Sequence, residues 1–114
     1  MNRIESYQFG QVVINGKTYD ADVIVFPDRV RADWKRRSSH KLSLEDAGEI
    51  FAVSPEILVV GSGAYGRVQV LPEVAGEADA RDVRLIVQPT AEACEIYNRL
   101  APVQRTVAAL HLTC

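Results

Sequence analysis

Three apolar runs in the second half of the chain constrain its fold most: residues 57–60, 83–87 ("VRLIV") and 106–112 ("TVAALHL"). Helical patterns separate them, and strands joined through helices need crossovers, which give a largely parallel sheet. The best of these helices opens at Pro89-Thr90. Its Ala93, Ile96, Tyr97, Leu100 and Ala101 fall on one face, and Pro102 ends it. Residues 72–80 are a weaker helix, because Gly76 lies inside it. Further back, Ser43 and Asp46 have capping-box spacing ahead of a face of Leu44, Ala47, Ile50 and Phe51, and Ser54-Pro55 stops that helix. The run 57–60 is continuous, as in a strand buried on both faces, and 83–87 reads as another buried strand.

The first third reads as antiparallel strand. "YQFGQVVINGKTYDADVIVFP" is rich in Val, Ile, Tyr and Phe, and Asn15-Gly16 is a strong hairpin signal because both turn positions need positive φ. Residues 5–14 are expected to pair with 17–26. Pro27-Asp28 then turns the chain into "RVRADW", a short polar edge strand. The expected sheet comprises about residues 20–26, 30–34, 57–60, 83–87 and 106–111. At 114 residues and 47 % hydrophobic, residues 1–114 make one domain with its own core.

The stretch "EILVVGSGAYGRVQV" spaces Gly61, Gly63 and Gly66 as G-x-G-x-x-G, the pattern of a dinucleotide-binding turn. The context argues against that use. "RVQVLPE" after Gly66 is β-branched and contains Pro72, so no helix begins at the phosphate position. The acid expected about 20 residues on is missing, since Ile86, Val87 and Gln88 stand there. The chain is also too short for a second nucleotide half. The glycines are better explained as a tight turn where side chains would clash. Backbone N–H groups in such a turn can still form a nest for a small anion. If strands 57–60 and 106–111 are parallel neighbours, their ends share one edge. A shallow anion pocket is then expected among Gly61, Ser62, Gly63, Tyr65, Gly66, Arg67 and His111, with Arg36 at its rim.

"RVRADWKRRSSHK" concentrates positive charge around one tryptophan. It is expected to be either a solvated loop or an interaction surface centred on Trp34, Arg36, Arg37 and His40. His111 is expected to be structural. His111-x-x-Cys114 alone is a weak metal signal, so neither metal nor cofactor is expected. Cys94 reads as a small core residue, and no disulfide is expected. No carboxylate pair stands out for acid–base work. The net charge of −2 argues against a nucleic-acid binder. No apolar run nears the roughly 20 residues of a membrane span, and "MNRIESYQFG" has no leader pattern, so a cytoplasmic protein is expected.

Taken in order, the 7–46 segment, "PEILVVGSGAYGRVQVLPE", "QPTAEACEIYNRL" and the ending "VAALHLTC" resemble a small domain family of largely unknown function. The resemblance covers nearly the whole chain. That family is found in archaea, bacteria and eukaryotes, and its human relatives include a mitochondrial complex I assembly factor and an adipogenesis-associated protein. The resemblance implies a three-layer α/β fold (β+α/β/α), with a central mixed five-stranded sheet and a small N-terminal β layer. It implies no known reaction and no accepted cofactor. It favours a non-catalytic, assembly-factor-like module with a protein partner; the alternative is a small-molecule (anion) binder, or an unrecognised enzyme, using the glycine turn. Gly76 and its Ala-rich neighbours depart from the family's middle helix and put that helix's stability in doubt.

Overall fold

The computed structural model describes residues 2–114. Its N-terminal layer is a three-stranded antiparallel sheet of β1 (Ile4–Gln8), β2 (Gln11–Ile14) and β3 (Lys17–Tyr19). The expected long hairpin is divided. Phe9-Gly10 makes a first two-residue turn and Asn15-Gly16 a second, with Gly10, Asn15 and Gly16 all at positive φ. The partner strand then breaks after β3, and β4 (Val23–Val25) leaves for the central sheet.

That central sheet has five strands. In spatial order they are β5 (Val30–Arg31), β4, β10 (Thr106–His111), β7 (Ile57–Ser62) and β9 (Arg84–Gln88). β10, β7 and β9 are parallel, and β4 and β5 are antiparallel to their neighbours. A two-stranded parallel ribbon joins β6 (Lys41–Leu42) to β8 (Gln69–Val70). α1 (Gly48–Ala52) follows a 3₁₀ turn, Glu45–Ala47; α2 is Pro72–Ala80 and α3 is Thr90–Leu100. The capping box forms, with Ser43 N–H and Oγ–H both donating to Asp46 Oδ2.

Alternation along the buried strands builds two cores, one on each side of the sheet. Ile57, Val59, Ala108 and Leu110 meet α3 and the small sheet through Tyr97, Ala93, Val12 and Ile14. Leu58, Val60, Val107 and Ala109 meet Phe51, Ile50, Val74 and Ala78 from α1 and α2. These are the expected three layers. One expectation fails: β9 is an edge strand, with only Leu85 and Ile86 half-buried, so its apolar run is not covered on both faces. Asn98 ties α3 to the small sheet, accepting from Ile4 N–H at 2.9 Å and donating to Ile4 O at 2.6 Å.

Two substitutions check this layering by chemical denaturation. Leu58→Ala empties a fully buried position on β7 and is expected to lower stability by about 2–5 kcal/mol. Gly76→Ala adds a Cβ that would have nothing within 4 Å in an α2 that does form, so it should raise stability by about 0.5–1 kcal/mol.

Candidate functional site

β7 and β10 run side by side, with Leu110 opposite Gly61 and His111 opposite Ser62. The structure therefore places the glycine turn and His111 at one sheet edge, where the parallel strands end. A Cβ on Gly61 would stand 2.9 Å from Leu110 Cδ2 and 3.0 Å from Thr90 Oγ1. Gly63 lies at φ +107°, and a Cβ there would meet the Cys114 backbone carbon and oxygen at 2.5 Å. The first two glycines thus serve close backbone approach. At Gly61 the neighbours are Leu110 and Thr90; at Gly63 it is the Cys114 backbone.

Most of the N–H groups that an anion would need are engaged within the fold. Gly63 N–H donates to Thr90 Oγ1 at 2.9 Å, Ala64 N–H to Thr113 O at 2.6 Å and Arg67 N–H to Cys114 O at 3.2 Å. Gly66 N–H turns back to Gly63 O, and Ser62 Oγ–H donates to Gln88 O at 3.1 Å. Thr90, at the start of α3, also donates through Oγ1 to His111 O at 2.6 Å and so joins the turn to β10. Residues 113–114 thus pack against the glycine turn beside His111, the place expected for an anion.

Under this edge lies a polar knot centred on Asp22. Its Oδ1 accepts from Leu112 N–H at 2.9 Å, and its Oδ2 lies 2.8 Å from both Arg36 NH1 and His111 Nδ1. The Arg36 side chain is 4 % exposed, and its NH2 also donates to Ser39 O at 2.7 Å. Burial alone would raise the Asp22 carboxyl, but the bonds from His111, Leu112 and Arg36 outweigh it and hold the group below its ordinary value. Arg36 Nε is the one buried side-chain nitrogen or oxygen without a partner among the described residues.

The structure divides the residues of the interaction surface expected around residues 29–41. Trp34 is buried, donates through Nε1 to Asp46 O and lies under the Arg36 guanidinium. Arg36 belongs to the Asp22 knot. Arg29 and Arg31 pair with Glu49, and Arg37 pairs with Glu45. Much of the run's positive charge is thus matched within the fold; Arg37 and His40 remain exposed.

His40 arrives at the glycine edge through the β6–β8 ribbon, where Gln69 N–H donates to His40 O at 2.8 Å. Its Nε2 is 3.5 Å from Cys114 Sγ, and its ring stands edge-on to that of His111. Two exposed aromatics flank the same edge: Phe9 from the β1–β2 turn and Tyr65 from the glycine loop, with ring centroids 6.1 Å apart. Sequence spacing missed Asp22, Thr90 and Phe9. Asp22 is one acid in a polar turn, and its partners lie far along the chain. Only the strand order brings them together.

Comparison with known proteins follows from this geometry. Residues 4–112 match a family described as a protein of unknown function (DUF498/DUF598). The chain belongs to that family. A conserved hypothetical protein from Pyrococcus horikoshii has the same fold, with a TM-score of 0.85 at 32 % identity, covering 98 % of this chain and 99 % of that one. A Bordetella pertussis protein described as a Mth938-like domain has a TM-score of 0.75 at 22 % identity, covering 97 % of this chain and 85 % of that one, a likeness of fold alone. Among curated proteins, the chain is similar to the NADH dehydrogenase (ubiquinone) 1 alpha subcomplex assembly factor 3 of Xenopus tropicalis, 34 % identical over 109 residues. The Danio rerio protein of the same name is 33 % identical over 108 residues. Each alignment covers 93 % of this chain but only 58 % and 61 % of those proteins, so the family member spans about three-fifths of their length. Among the described residues, no helix is long and apolar enough to cross a membrane.

The knot and the packing of α3 each generate an expectation. Asp22→Ala leaves the buried Arg36 charge without its partner and should destabilise the family fold by about 3–5 kcal/mol in denaturant titration. Burial, with a smaller contribution from Glu95, pushes the Cys94 thiol up to about 12, whereas Cys114 is half-exposed. Near neutral pH a thiol reagent should therefore modify Cys114 in the native protein and reach Cys94 only after unfolding. Equal native rates at both thiols would contradict the packing of α3.

Proposed function

We propose that this chain is a protein-binding, assembly-factor-like module rather than a catalyst, docking through the edge at which β7 and β10 end. The observation that carries this is the Phe9–Tyr65 pair, whose side chains are 57 % and 72 % exposed yet held in mutual contact by two separate turns. Solvated aromatics gain by docking, and paired aromatics near basic side chains are typical anchors of protein interfaces. Arg67, two residues beyond Tyr65, is exposed and supplies the charged part of the surface. The names of the amphibian and fish relatives support a role in assembly. The proposal places the chain in the cytoplasm, in keeping with its two free thiols.

A photo-crosslinking residue at position 65, expressed in the native host, tests this. The expected outcome is a discrete protein adduct that is absent when the crosslinker sits at exposed position 18 on β3. With the purified partner, Phe9→Ser combined with Tyr65→Ser should weaken binding about 30-fold or more, the loss of roughly 2 kcal/mol at an interface anchor. Identical adducts from positions 65 and 18, or none from 65, would remove the proposal.

A further inference from the structure

One cluster at this edge is not used by protein docking. His40, His111 and Cys114 each offer a ligand atom, and those atoms all lie within 4.8 Å of one another. We propose that these three side chains form a zinc site with two imidazoles, one thiolate and an open fourth position.

The distances suit the ion. With zinc–nitrogen bonds of about 2.0–2.1 Å and a zinc–sulfur bond of about 2.3 Å, tetrahedral geometry sets nitrogen and sulfur about 3.6 Å apart. His40 Nε2 and Cys114 Sγ already stand at 3.5 Å. The third ligand is pre-oriented. His111 Nδ1 lies 2.8 Å from Asp22 Oδ2 and 3.0 Å from Arg36 NH2; in the tautomer that donates from Nδ1 to the carboxylate, Nε2 is left as the ligating atom. A carboxylate behind a metal-binding imidazole fixes its tautomer and makes it a better donor. Arg36 NH1 holds the same carboxylate oxygen, and Leu112 N–H holds the other.

The backbones are also held in place. Gln69 N–H fixes His40 O, Thr90 Oγ1–H fixes His111 O and Arg67 N–H fixes Cys114 O. Closing three fixed groups by roughly an ångström is side-chain adjustment. Thr113 Oγ1, 3.3 Å from His111 Nε2, is the contact the ion would replace. His111 is buried, Cys114 half-buried and His40 exposed, so an ion would be reached from solvent. Two nitrogens and a sulfur match a borderline-soft ion rather than magnesium or calcium, which prefer oxygen. Three protein ligands leave a position for water or an incoming group.

The test uses the full chain, stripped of metal and kept reduced, titrated with zinc against a chromophoric chelator. Cobalt in place of zinc supplies a spectroscopic signature. The expected result is one ion per chain, with a thiolate-to-cobalt charge-transfer band and tetrahedral visible bands. His40→Gln and Cys114→Ser should each weaken zinc binding at least tenfold, and Cys114→Ser should abolish the charge-transfer band. Neither side chain lies in the core, so both variants should keep the metal-free thermal midpoint. Phe9→Ser with Tyr65→Ser should leave zinc binding unchanged, which separates this site from the docking surface. No stoichiometric binding, or undiminished affinity in either His40→Gln or Cys114→Ser, would overturn the site.

Discussion

The carboxylate of Asp22 joins parts of the chain that are remote in sequence. It stands where the chain enters β4 and accepts from Leu112 just beyond β10, from Arg36 beyond β5 and from the His111 imidazole. A half-buried carboxylate with one partner would strain the fold, because desolvation opposes its charge. With a backbone amide, a guanidinium and an imidazole around it, the charge is matched and three segments are held in register. Trp34 N–H donates to Asp22 O at 2.8 Å and adds a fourth link through the backbone. The knot sets where the last residues run, and that path fills the glycine turn.

The glycine turn then takes on a different meaning from the one its spacing suggests. In a dinucleotide fold such a turn opens a helix and leaves its N–H groups to a pyrophosphate. Here the Ala64 and Arg67 N–H groups bond residues 113 and 114, and the next helix, α2, begins only at Pro72, after β8. The edge that collects ligands in open α/β sheets is covered by the protein's own backbone, while its rim carries the aromatic pair and the His40–His111–Cys114 cluster. Backbone closure and side-chain chemistry divide the edge between them.

Local periodicity was enough for β7, β10 and α3, because each buries residues at a regular interval against the sheet. The β9 strand misled, since "VRLIV" has the composition of a central strand but lies at an edge that the helices cover only in part. The N-terminal hairpin was legible at Asn15-Gly16, but the break at Phe9-Gly10 was not, because Phe at that position carries no turn preference. The basic run misled for a different reason. Charge shows in composition, but whether a guanidinium meets solvent or a carboxylate depends on acids such as Asp22 and Glu49, which the sequence sets far from it. The metal-like cluster was half legible: His111 and Cys114 are close in sequence, while His40 arrives only through the β6–β8 ribbon.

Amide hydrogen exchange at Leu112, Ala64 and Arg67 tests the closure of this edge most directly. Each of these N–H groups bonds across it, to Asp22 Oδ1, Thr113 O and Cys114 O respectively. If the knot holds residues 112–114 over the glycine turn, all three should be protected from exchange, and Leu112 should exchange as slowly as the buried amides of β10. Rates at all three like those of an unfolded chain, with β10 still protected, would show that the last residues leave the turn open and would contradict the closure.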